Sequence, residues 1–154
     1  MKYRSTRDNN IIKDDKVALL QGLSEDGGLF VLENLSDKKI NLENLIDKSY
    51  TEIAFEVLKL FFSFDENKLK SVIEKAYSKF STSKVTPLVE LKNAHVLELF
   101  HGPTSAFKDV ALTLLPYLIQ LALEGTEQEI LILTATSGDT GKAALEGFKD
   151  VKQT

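Results

Sequence analysis

From Pro87 onward the chain alternates short apolar runs with a longer one, and a turn rich in glycine, serine or threonine marks the changeovers. That order constrains the fold more than any other feature. Leu88-Val89-Glu90-Leu91 and His95-Val96-Leu97-Glu98-Leu99-Phe100 suit short strands, separated by the turn-like Lys92-Asn93. Gly102-Pro103-Thr104 then leads into an apolar stretch from Val110 to Leu123, which predicts a helix closed by Gly125. Pro116 inside it predicts a kink, because proline lacks the N–H that a helix interior needs. Ile130-Leu131-Ile132-Leu133 follows without polar alternation, the pattern of a strand buried on both faces of a parallel sheet. Ala143, Ala144, Leu145 and Phe148 begin another helix. Strand, helix, strand, helix with apolar strands predicts an α/β fold built on a parallel sheet.

The upstream residues read differently. The first forty look like a short strand-rich cap, with Val17, Leu19 and Leu20 ahead of a break at Gly22. Asp26-Gly27-Gly28 is a tight turn into Leu29-Phe30-Val31-Leu32. Two helices follow. Ser49 or Thr51 caps one carrying Ile53, Val57, Leu58, Leu60 and Phe61. Asp65 caps the next, on which Leu69, Val72, Ile73, Ala76, Tyr77 and Phe80 recur at helical spacing. The polar stretch Ser81-Thr82-Ser83-Lys84 is the expected boundary, dividing the chain into residues 1–83 and 84–154.

Composition narrows the function classes. A hydrophobic content of 43% is that of a globular chain and too high for a disordered one. A net charge of -4, with lysines spread among acids, argues against a nucleic-acid surface. No cysteine is present, so disulfides and zinc–thiolate sites within this sequence are excluded. No apolar run approaches a membrane span, and a cytoplasmic protein is expected.

Two junctions carry chemistry. In Gly102-Pro103-Thr104-Ser105-Ala106-Phe107-Lys108-Asp109, one lysine stands where a strand-like run yields to a helix-like one. Ser105 is positioned to cap the helix, and Phe107 and Val110 offer apolar neighbours that favour a neutral amine. Such an amine attacks carbonyls, which is how an aldehyde cofactor is tethered. The second junction, Thr136-Ser137-Gly138-Asp139-Thr140-Gly141, links a strand to a helix start, where free N–H groups and the helix dipole suit an anion. With Lys142 and Ala143 it superficially matches a nucleotide-binding loop, but Thr136 replaces the first glycine and Ala143 the magnesium-binding hydroxyl. His101 stands beside the lysine turn, either as a structural residue or in reach of a ligand. Asp109 suits the positive end of a helix dipole. His95 reads as an edge or core residue, and no metal-ligand pattern is present.

Four ordered segments, Tyr3 to Arg7, Gln21 to Phe30, His101 to Asp109 and Thr136 to Gly141, resemble threonine synthase, and the likeness runs from Tyr3 to about Phe148. The family usually has a proline where Leu32 stands. The resemblance implies a tryptophan synthase β-like (fold type II) enzyme of pyridoxal 5'-phosphate, with a small α+β N-terminal unit. It implies conversion of O-phospho-L-homoserine and water to L-threonine and phosphate, without a metal. Lys108 would bind the cofactor and move protons. Asp139 would lie beside the cofactor, where enzymes outside this family often carry an asparagine. Ser137, Gly138, Thr140 and Gly141 would grip the substrate carboxylate. Proteins of this family are considerably longer, so the resemblance implies an N-terminal portion that is inactive by itself and prone to association. Should the chain be a whole product, the alternative is a non-catalytic binding or interaction module.

Overall fold

The structure is a computed structural model and describes residues 1–136 and 138–154. Strands β1 (Lys2–Ser5), β2 (Ile12–Asp14) and β3 (Phe30–Leu32) form an antiparallel sheet in the order β2-β1-β3. Tyr3 stands opposite Lys13 on one side and Leu32 on the other. Leu32 is buried there, so its side chain fills core at the position where the family favours proline.

Helix α1 (Asp15–Gln21) corrects the expectation that Val17 to Leu20 are strand. The Asp14 carboxylate accepts the Val17 N–H at 2.9 Å, an N-cap that starts a helix directly after β2. Gly22, with φ 74°, ends it.

Helix α2 (Tyr50–Leu58) begins at Ser49, as the sequence indicates. Ser49 Oγ accepts the Glu52 N–H while Glu52 Oε2 accepts the Ser49 N–H at 2.8 Å, a reciprocal capping box. The Ser49 hydroxyl and N–H hold the Glu52 carboxyl below its ordinary range. Helix α3 (Glu66–Tyr77) is capped by Asp65, which accepts the Lys68 N–H at 2.9 Å. Leu69, Ile73, Ala76 and Tyr77 line its buried face, matching the helical spacing of the sequence.

The polypeptide between these helices is stitched to the N-terminal sheet. The Tyr3 hydroxyl donates to the Phe61 carbonyl at 2.7 Å, and burial, then the Asp15 charge, pushes that phenol up to about 12. The buried Asp15 carboxylate accepts both the N–H and the hydroxyl of Ser63, and pairs with the Met1 ammonium at 3.3 Å. Burial alone would raise the Asp15 pKa, but Ser63 and Met1 outweigh it and hold it below the ordinary aspartate value.

Beyond residue 84, strands β4 (Leu88–Leu91) and β5 (Ala94–Leu97) form an exposed antiparallel hairpin. The expected single helix from Val110 is two: α4 (Asp109–Leu112) and α5 (Leu115–Leu123). The backbone breaks ahead of Pro116, which sits in the first turn of α5, where a missing N–H costs nothing. Helix α5 packs on α1 and α3. The core therefore joins Phe55, Leu69 and Ile73 to Val85, Leu118 and Val151.

The segment 130–133 departs from expectation. It is not in a strand: Leu131 is 82% and Leu133 84% exposed. Ile130 and Ile132 are half-buried beside Ala144, Leu145 and Phe148 of helix α6 (Asp139–Phe148). A strand cannot satisfy its own backbone. Among the described residues both sheets are antiparallel and neither borders this segment. The mixed α/β class holds, while the parallel pairing is not formed here. No helix among the described residues is long and apolar enough to cross a membrane.

Candidate functional site

The turn carrying Lys108 is fixed at both ends. At its start, His101 Nε2 lies 2.6 Å from Glu98 Oε2, and its Nδ1 lies 3.2 Å from Ser81 Oγ. The Ser81 N–H also donates to the His101 carbonyl at 3.0 Å. Of the two readings of His101, this geometry supports the structural one: the ring clamps the strand end to the polar stretch after α3.

At its end, Asp109 closes the turn. Its Oδ2 accepts the Thr104 N–H at 2.8 Å and its Oδ1 the Thr104 hydroxyl at 2.7 Å. Only 1% of Asp109 is exposed, more enclosed than a helix-dipole partner needs to be. Gly102 lies so close that an added Cβ would overlap the Asp109 side chain.

Ser105 does not cap α4. Its φ of 59° places it in the left-handed turn, and its N–H donates to the Gly102 carbonyl at 3.1 Å. Lys108 occupies the N-cap position instead, without a side-chain cap bond. The apolar enclosure expected of Lys108 is partial. Phe107 is 57% exposed, and Lys108, itself half-buried, holds Nζ 4.2 Å from the centre of that ring, a cation–π distance. Among the described residues no carboxylate pairs with this amine.

The second turn opens α6. Gly138 is its N-cap with φ 153°, and a Cβ added there would meet nothing within 4 Å beyond its two chain neighbours. Thr136 shapes it: its hydroxyl accepts the Gly141 N–H at 2.9 Å and approaches the Gly138 N–H at 3.4 Å. The Gly141 N–H is thus engaged within the turn. Asp139 is exposed and Thr140 half-buried, and neither N–H donates to another described residue. Ser137 lies outside the described residues.

Helices α4 and α6, which the two turns open, pack against one another. Gly147 makes the crossing close: an added Cβ would collide with the Leu112 carbonyl. The other two family-like segments form a separate cluster in the N-terminal sheet. There the Ser5 hydroxyl donates to Asp26 at 2.8 Å and Asp26 accepts the Gly28 N–H at 2.8 Å. The Gly28 N–H foremost, then Ser5, hold the Asp26 carboxyl below its ordinary range. Ser24 Oγ adds to that pull from nearby without completing a hydrogen bond of normal geometry. This cluster braces a turn and lies on different elements from Lys108.

Sequence reasoning missed the Asp109–Thr104 grip, the Thr136 cap and the Gly147 crossing. The Thr-Ser-Gly order around Thr136 was a visible signal, since short hydroxyl residues cap helix starts. The burial of Asp109 had no local signal.

The fold is that of the opening portion of a tryptophan synthase β-like α/β protein. Residues 2–77 match the family model described as threonine synthase N terminus. The chain is 43% identical to threonine synthase of Pseudomonas aeruginosa, covering 97% of this chain and 33% of that protein. It is 41% identical to threonine synthase of Schizosaccharomyces pombe, covering 99% of this chain and 32% of that protein. The PLP-bound threonine synthase structure from Brucella melitensis superposes with a TM-score of 0.92 at 39% identity, over 99% of this chain and 34% of that one. Nearly the whole chain matches the N-terminal portion of threonine synthases, and it spans about a third of the length of these curated relatives.

Proposed function

We propose that this chain supplies the cofactor lysine and the substrate-carboxylate turn of a cytoplasmic threonine synthase. The reaction is conversion of O-phospho-L-homoserine and water to L-threonine and phosphate, the last step of threonine formation. The observation that carries it is the placement of Lys108 at the head of α4, on a turn pinned at both ends, with α4 packed against the helix that the second turn opens.

These residues fit pyridoxal 5'-phosphate. The donor set offers an amine that no carboxylate among the described residues pairs with, and a helix end with room above Gly138. When bound, the cofactor supplies an electron sink for carbanion chemistry. Lys108 would be the residue that holds the cofactor, and its amine would hold and deliver protons at the α and β carbons of the substrate. Asp139, the exposed first residue of α6, is assigned to the cofactor from its place in the sequence. The exposed end of α6 attracts the substrate carboxylate through its dipole, with Thr140 and the Gly138 backbone as donors. Gly141 contributes by keeping the turn small, since its own N–H is held by Thr136. Ser137 is assigned to the same grip from its place in the sequence. The domain division is proposed at residues 83 and 84, where the helical N-terminal part yields to the cofactor-binding part.

Incubation of the chain with pyridoxal phosphate, borohydride reduction and peptide mapping tests the reading. Modification concentrated at Lys108 and lost in Lys108→Ala supports it. Labelling spread evenly over surface lysines refutes it. Phosphate release from O-phospho-L-homoserine then reports whether the chain by itself turns over.

A further inference from the structure

We propose that Asp109 is the positioning residue of Lys108: its carboxylate holds the 102–109 turn in the one shape that presents the amine. The proposal rests on the reading of Lys108 given above.

A helix start needs no buried acid, because a carboxylate favours the dipole while remaining in water. Asp109 is nonetheless almost wholly enclosed, which is unfavourable for a charged group unless hydrogen bonds compensate. Both of its oxygens are used, and both on the same residue, Thr104. The grip spans five positions, and Lys108 lies inside the loop it closes.

That loop does not hold itself. Ser105 adopts a left-handed conformation that a residue with a Cβ disfavours, and Gly102 must remain bare for the Asp109 side chain to sit against it. The Ala106 carbonyl accepts the Asp109 N–H at 3.0 Å, and the Lys108 carbonyl accepts the Leu112 N–H at 2.9 Å. The lysine backbone is therefore tied forward to α4 and backward, through Asp109, to Thr104. Its side-chain torsions are what remain free. Condensation of Nζ with an aldehyde, in which a C=N bond forms and water leaves, requires the amine at a defined distance and angle. Misplacement by about 1 Å can cost on the order of 100-fold in such a step.

The test follows borohydride-trapped pyridoxal phosphate, resolved by site, in the full chain and in Asp109→Asn, Thr104→Val and Thr104→Ser. Far-UV circular dichroism runs alongside, and the surface lysines serve as internal controls. The expected result is that Asp109→Asn and Thr104→Val each slow trapping at Lys108 about tenfold or more, leaving the surface lysines unchanged. Thr104→Ser, which keeps both donors, stays near the parent rate. The double variant Asp109→Asn/Thr104→Val is no slower than the worse single, because one interaction has been removed twice. Parent-like trapping in a folded Asp109→Asn overturns the proposal. If that variant loses its helical spectrum, Thr104→Val decides, and parent-like trapping there overturns it equally. A parent chain that does not favour Lys108 overturns the assignment of the lysine itself, a different result from a failure of the Asp109 grip alone.

Discussion

Leu69 on α3 and Leu131 in the stretch after α5 carry the same side chain, yet 1% of the first and 82% of the second is exposed. Both sit in segments with a clear apolar pattern. The difference lies in what each backbone requires. A helix closes its own hydrogen bonds and asks only that one face be covered. The face of α3 meets α2 and α5, so Leu69 and Ile73 are sealed. A strand must borrow partners for its backbone along both edges and cover for both faces. The 130–133 segment has α6 beside it, with Ile130 and Ile132 half-buried, and leaves Leu131 and Leu133 exposed. The hairpin β4–β5 pairs its inner edge and still leaves Leu88, Leu91 and Leu97 exposed.

The largest effect that would sharpen this contrast comes from paired truncations. Ile73→Ala should cost about 2–5 kcal/mol in urea unfolding, from lost transfer energy and the cavity left behind. Leu131→Ala should stay within about 0.5 kcal/mol of the parent. Equal losses at the two sites would break the comparison. A smaller effect belongs to the stitch between the N-terminal sheet and the helices. Asp15→Asn should cost about 1–3 kcal/mol at neutral pH, since the buried group loses its charge opposite Met1 and disturbs its bonds to Ser63. Because the Asp15 pKa is lowered by folding, its contribution is full above the ordinary value of 3.8 and is lost as pH falls through the folded value. Acid unfolding of the parent should therefore steepen below that value, and Asp15→Asn should lack that component. Smallest is Ser49→Ala, which opens the capping box of α2 and should lower stability by about 1 kcal/mol, read from the thermal midpoint.

These residues also show what could be read in advance. The Ser49 and Asp65 caps were legible because donor and acceptor lie three residues apart, within reach of a local rule. The buried face of α3 followed from spacing alone. Asp14 as the start of α1 was legible in principle and was overlooked because Val17, Leu19 and Leu20 resemble a strand in composition. Pro116 was ambiguous, since proline kinks one helix or begins another depending on where the preceding turn ends. At the candidate site the lysine and the glycine-rich turn were legible as junctions. The grip of Asp109 on Thr104 was not, because it depends on the chain folding back at Gly102 and on the left-handed Ser105.

The contact between Gly147 and the Leu112 carbonyl bears on how relatives of this chain ought to be recognised. Neither residue belongs to a signature segment, yet together they let α4 and α6 approach closely. A search keyed to the two signatures would accept a chain with valine at the equivalent of 147. Such a chain would carry every expected letter and still be unable to seat its two helices together.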